Sequence, residues 1–140
     1  MLTETKEFIP PKNWQELCDP IQPFLDEVSN CLKEQVKNFD PQIATFIQYA
    51  LASQGKQLRP ALVALGARAA GGLKPEHVRA AVIIEMVHLA TLVHDDVVDA
   101  AEVRRNRPTL AANWGNKVSV LAGACLFADA LRLCLLYASP

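Results

Sequence analysis

No Cys-x-x-Cys pair occurs among the four cysteines, Cys18, Cys31, Cys125 and Cys134, and no histidine stands at ligand spacing from them. This spacing argues against zinc. The four read as buried or half-buried thiols of a reducing compartment, so a cytoplasmic location is expected. The opening stretch Met1 to Pro11 is polar and lacks an apolar core, so no secretory signal is visible. Basic tracts are missing too, and the formal net charge is -1, which leaves no electrostatic footprint for nucleic acid. The most apolar late stretch, Val118 to Leu136, is broken by Asp129 and Arg132. It reads as a buried helix, and no transmembrane segment is expected. Strand-type alternation is absent apart from an ambiguous Val82 to Val87.

What remains is helical. With 140 residues, 51% of them hydrophobic, the chain can bury one core. Residues 1–12 are expected to form a flexible leader, and 13–140 a helical domain. Leu17, Ile21, Phe24, Leu25, Val28, Cys31, Leu32 and Val36 recur at helical spacing, with Pro20 and Pro23 splitting the early part. Asp40-Pro41 predicts an N-cap and a helix running to about Ser53, which Gly55 stops. Pro60 is expected to open the next helix and Gly71-Gly72 to close it. Pro75 is expected to open a third that reaches Asp95 to Asp99. Glu102 to Thr109 reads as a loop, and a last helix is expected over Asn116 to Leu136. The fold class is all-α, with helices long for a small bundle.

The chemistry concentrates where the third helix ends. Asp95, Asp96 and Asp99 close an apolar run, and Arg104 and Arg105 follow. On a helix Asp95 and Asp99 share a face one turn apart, while Asp96 lies on the adjacent face. All three sit at the negative end of the helix dipole, which is unfavourable without a cation. Carboxylate oxygens suit magnesium better than zinc or copper. Arginines suit the phosphate oxygens that such metals bridge. The combination points to a metal–diphosphate site. The bland reading is a solvated acidic helix end paired with Arg104 or Arg105.

Two further pieces extend the basic half. Lys56 and Arg59 precede a helix start, where free N–H groups and the dipole favour an anion; taken alone, this fragment reads more readily as a solvated basic turn. His88 lies seven residues before Asp95, about two turns along the same face, with Thr91 between. Either it is a satisfied core histidine or it contacts phosphate. Trp14 and Trp114 read as packing residues.

These pieces resemble the trans-polyprenyl diphosphate synthases. The matching segments are Gly55-Lys56-Gln57-Leu58-Arg59-Pro60, the run Glu85 to Asp99, Arg104-Arg105-Asn106-Arg107-Pro108-Thr109, and Gly115-Asn116-Lys117. The resemblance covers about Phe24 to Leu133. It implies an all-α long-helix bundle of the isoprenoid synthase type around a deep cavity, usually as a homodimer. It also implies a prenyltransferase that joins isopentenyl diphosphate to an allylic diphosphate, with Mg2+ as cofactor. By resemblance, Asp95 and Asp99 hold the magnesium on the allylic diphosphate, with Asp96 supporting, and Arg104 contacts that diphosphate. Lys56, Arg59, His88 and Arg105 hold isopentenyl diphosphate. Ala90 and Thr91, small residues at the positions that help set the cavity floor, imply a product longer than fifteen carbons.

The chain also departs from the family pattern. It ends at Pro140, before the second aspartate-rich motif, so it is expected to represent the N-terminal half, an incomplete bundle. Ala124 stands where many members have aspartate, and Asn106 where glycine is common. A second reading is therefore a truncated non-catalytic subunit or remnant that pairs with a full-length synthase. A third, a generic helical magnesium or phosphate binder, explains the acids but not the ordered basic motifs.

Overall fold

The computed structural model of the chain describes residues 11–53 and 55–138. Most of the expected leader, residues 1–10, lies outside the described residues. The Asn13 to Asn38 stretch divides at its prolines as predicted. Helix α1 (Trp14–Cys18) is followed by a 3-10 turn at Asp19–Ile21, then α2 (Gln22–Gln35) and a second 3-10 turn at Val36–Asn38. Asp40 caps α3 (Pro41–Leu51) by accepting a hydrogen bond from the Gln42 N–H at 2.9 Å. Helix α4 (Leu58–Ala69) begins two residues before the expected Pro60. Gln57 adopts a left-handed φ of 50° and starts the helix, and Pro60 falls in the first turn, where its missing N–H has no intrahelical partner to lose.

Helix α5 (Pro75–Val98) carries the acids at its last turn, with Asp99 as its C-cap. It is apolar around most of its girth, because it packs against α2 and α4 on one side and α7 (Asn116–Ala138) on another. Ile21, Val28, Leu32, Met86 and Leu126 form the centre of the core. The expected loop over Glu102 to Thr109 contains a small antiparallel hairpin, β1 (Val103–Arg104) and β2 (Arg107–Pro108), and short α6 (Leu110–Trp114) follows. The reversal at Arg105 and Asn106 uses φ of 50° and 61°, the doubly left-handed geometry of a tight two-residue hairpin.

By length and composition α7 is the one helix among the described residues long and apolar enough to cross a membrane. One of its faces, with Ser119, Ala122, Gly123, Leu126 and Ala130, is buried. Asp129, also buried, is paired with Arg132 at 2.6 Å. The other face leaves Val120, Leu121, Phe127, Leu131 and Leu136 exposed. The cysteines are free, but Cys134 is exposed, contrary to the expectation of buried or half-buried thiols. It sits on the open side of the last turns of α7.

Small residues let α7 approach α5 closely. The His94 Nε2–H donates to the Val120 carbonyl at 3.0 Å, and its ring occupies the space that a Cβ on residue 123 would need. Both neighbours are fixed in helices, so the ring has little freedom to retreat. Gly123→Ala is expected to destabilise the chain by about 1–3 kcal/mol through overpacking. Urea unfolding of the single variant and of His94→Ala/Gly123→Ala checks this, because removing the ring should recover part of the loss.

Candidate active site

A cavity of about 510 Å³ opens between α3, α4, α5 and the hairpin. Its wall on α5 is the stripe Glu85, His88, Leu89, Leu92, Val93 and Asp96, the i, i+3, i+4, i+7 spacing of one helix face. Opposite lie Lys56 and Arg59 from the start of α4, Arg104 and Arg105 from the hairpin, and Tyr49 from α3. Lys56, Arg59, His88, Asp96, Arg104 and Arg105, all singled out from the sequence, thus share one space. Asp95 and Asp99 do not line it; they are exposed at its edge. Among the described residues, no three acid, histidine or cysteine side chains converge as a ready-made metal cage.

The segments that carry the cationic groups are anchored locally. The Gln57 side chain ties the loop before α4 to α2 by donating to Ser29 Oγ at 2.5 Å. The hairpin is anchored on α3, where the Tyr49 hydroxyl donates to the Pro108 carbonyl at 2.7 Å and the Arg107 guanidinium stacks 4.4 Å over the Tyr49 ring. Trp114 packs edge-on against Tyr49, at 4.9 Å between ring centroids. Arg105 Nη1 donates to the Ser53 carbonyl at 2.5 Å, and its guanidinium lies against Gly55.

Arg104 turns inward to Asp96. Its Nη2 and Nε donate to Asp96 Oδ1 at 2.7 and 2.9 Å. That hydrogen bond raises the Arg104 pKa above its ordinary value despite partial burial, and the charges of Asp96, Asp95 and Asp99 add to the effect. Asp96 is buried and occupied by this pair. Asp95 and Asp99 differ: neither carboxylate has a hydrogen-bond or ion-pair partner among the described residues. Two hard oxygen donors one turn apart at a helix C-terminus fit a divalent cation such as magnesium, which binds through one or two carboxylates with phosphate oxygens and water completing its shell.

His88 titrates below the ordinary imidazole value of 6.5, first through burial and then through Arg59, Arg105 and Arg104, with Asp95 acting in the opposite direction. The folded chain therefore binds this proton less readily than the unfolded one. The favourable neutral state is fully present above pH 6.5 and its stability contribution is lost as pH falls below that value. His88→Gln should flatten the acid side of the stability profile. Urea midpoints measured across that window check it.

Ala90 and Thr91 do not line the cavity. Ala90 is buried in the core, and Thr91 is exposed with its hydroxyl donating to the His88 carbonyl at 2.7 Å. Thr91, Asp95 and Asp99 nevertheless form one i, i+4 stripe on the outer face of α5. Sequence reasoning gave no role to Glu85 or Tyr49, both in the cavity wall. Glu85 had a readable signal, since it stands three residues before His88 on the same face.

A sequence model described as Polyprenyl synthetase matches residues 40–140. The chain belongs to the polyprenyl synthetase family. It is 42% identical over 113 residues to a prenyl transferase of Synechocystis sp., covering 79% of this chain and 35% of that protein. It is 36% identical over 120 residues to an all-trans-nonaprenyl-diphosphate synthase (geranyl-diphosphate specific) of Rhodobacter capsulatus, covering 85% and 37%. Its fold matches a polyprenyl synthase from Caulobacter crescentus, solved in complex with calcium and isoprenyl diphosphate. The TM-score is 0.81 at 33% identity, over 93% of this chain and 40% of that one. The all-α isoprenoid synthase architecture is thereby shown. The chain spans about a third of the length of these two curated polyprenyl synthetase relatives.

Proposed function

We propose that the chain forms the diphosphate-binding part of a trans-polyprenyl diphosphate synthase, a prenyltransferase that condenses isopentenyl diphosphate with an allylic diphosphate. The observation that carries this reading is the convergence of Lys56, Arg59, His88 and Arg105 on one cavity, beside exposed Asp95 and Asp99. Lys56, Arg59, His88 and Arg105 hold isopentenyl diphosphate. Neutral His88 contributes a hydrogen bond there, and the cations contribute charge. Asp95 and Asp99 would hold Mg2+ with the allylic diphosphate; bound there, the ion neutralises charge that develops on the departing diphosphate. Arg104, steered by Asp96, faces the same leaving group. Leu89, Leu92 and Val93 keep water from the cavity wall.

A tail leaving the Asp95–Asp99 rim along α5 passes Thr91, whose small side chain leaves room. This supports a product longer than fifteen carbons, in line with the nonaprenyl name of the Rhodobacter relative. The exposed apolar face of α7 supports assembly as a homodimer, or as a heterodimer with a longer synthase chain. The free cysteines support a cytoplasmic location. The domain reading is a leader over 1–12 followed by the helical part over 13–140.

The test is an incubation with Mg2+, labelled isopentenyl diphosphate and an allylic diphosphate, with and without a full-length relative. Elongation that requires the relative, and that disappears with Asp95→Ala/Asp99→Ala, supports the reading in its subunit form. Elongation by the lone chain supports catalysis by this part alone. A relative whose output is indifferent to the chain, together with no activity by the chain, counts against both.

A further inference from the structure

One ionisable residue of the cavity wall, Glu85, has no role in the reading above. It lies half-buried in the cavity wall, on the α5 face that also presents His88 and Asp96. Four cations, Lys56, Arg59, Arg104 and Arg105, share the cavity with two acids, Glu85 and Asp96. Asp96 is consumed by Arg104. Glu85 lines the same cavity as Arg59 and Arg105, and it forms no ion pair within 4.0 Å with either. Burial raises its pKa, and the charges of Arg59 and Arg105 act in the opposite direction.

An acid serves no purpose as a direct ligand for a diphosphate, since two anions repel. Its worth in this place is electrostatic. Arg105 is engaged by the Ser53 carbonyl and not by Glu85, so the carboxylate acts on the cavity at a distance. We propose that Glu85 is the built-in counter-ion of the anion cavity, whose charge offsets Arg59 and Arg105 when the cavity is empty and weakens diphosphate binding when it is filled. This rests on the reading of the cavity as the isopentenyl diphosphate site and deepens it. A site reloaded at every condensation turns over faster when its anion is not held too tightly, and one fixed negative charge sets that limit.

The role and a merely structural one differ in sign. A structural lesion at Glu85 loosens the wall and weakens binding; loss of a counter-ion strengthens it. Calorimetric titration of the chain with inorganic diphosphate separates them. Glu85→Gln is expected to bind about three- to tenfold tighter at low salt, with the gap closing as ionic strength screens the charge. Glu85→Ala, which removes the carboxylate by another route, is expected to shift affinity the same way. Unchanged or weaker binding by both variants overturns the proposal. Arg59→Ala provides the separate control: if it lowers diphosphate affinity, the cavity reading stands whatever Glu85 does. If it does not, or if no protein in the set binds diphosphate, both readings fall.

Discussion

Arg104→Ala is expected to lower the stability of the chain by about 3 kcal/mol, the scale for stranding one member of a buried ion pair. The Asp96 side chain is only 9% exposed, against 33% for Arg104. Removing the guanidinium therefore leaves a carboxylate with little water and no remaining donor. An exposed pair of the same length contributes a median of about 0–1 kcal/mol, so the measured loss distinguishes the two situations. Arg104→Lys keeps the charge but not the paired N–H geometry and should recover only part of the loss. Urea unfolding of wild type and the two variants checks the order. A loss near zero for Arg104→Ala would show that Asp96 finds water or another donor. The pair also fixes the hairpin against α5, so the same variant should weaken diphosphate binding by displacing Arg105.

Gly55→Ala should show the opposite profile, with affinity lost and stability kept. An added Cβ would lie 2.6 Å from Arg105 Nη2 and 2.7 Å from its Cζ. That is the far end of a flexible side chain, so the clash is relieved by moving the guanidinium instead of the fold. The cost to stability should stay within about 0.5 kcal/mol, as for surface changes. Moving Arg105 breaks its bond to the Ser53 carbonyl and withdraws a charge-assisted donor from the cavity. Such a donor is worth about 1.5–3 kcal/mol, so diphosphate affinity should fall at least tenfold. Thermal unfolding together with calorimetry tests the split. A large stability loss would mean that the loop, not the arginine, yields.

Helix starts and stops were legible because they depend on local chemistry. Asp40 and Pro41, Pro75, and the Gly71-Gly72 pair at φ of 122° and 124° act where they stand. The start of α4 was misread because Gln57 enters the left-handed region, held there by a side-chain bond to Ser29 that no local rule reveals. The hairpin was read as a loop for a related reason: its turn is built from Arg105 and Asn106, without the glycine that usually signals it. That turn decides the site. It sends Arg104 back to Asp96 and Arg105 to Ser53, so two consecutive residues serve different partners.

The cationic residues of the cavity were legible as motifs, since they flank helix ends or share a helix face. The separation of Asp96 from Asp95 and Asp99 was legible as a matter of helix rotation. Which of them turns inward was not, because that depends on how α5 is seated against α7. His94 over Gly123 is part of that seat, a contact between two helices far apart in sequence that no local spacing reveals.

The most direct test is a crystal structure of the chain grown with Mg2+ and inorganic diphosphate. The account predicts a diphosphate among Lys56, Arg59, His88 and Arg105, with metal density on Asp95 and Asp99 and the Arg104–Asp96 pair intact. Diphosphate bound on another surface, with the cavity filled only by water, would contradict it.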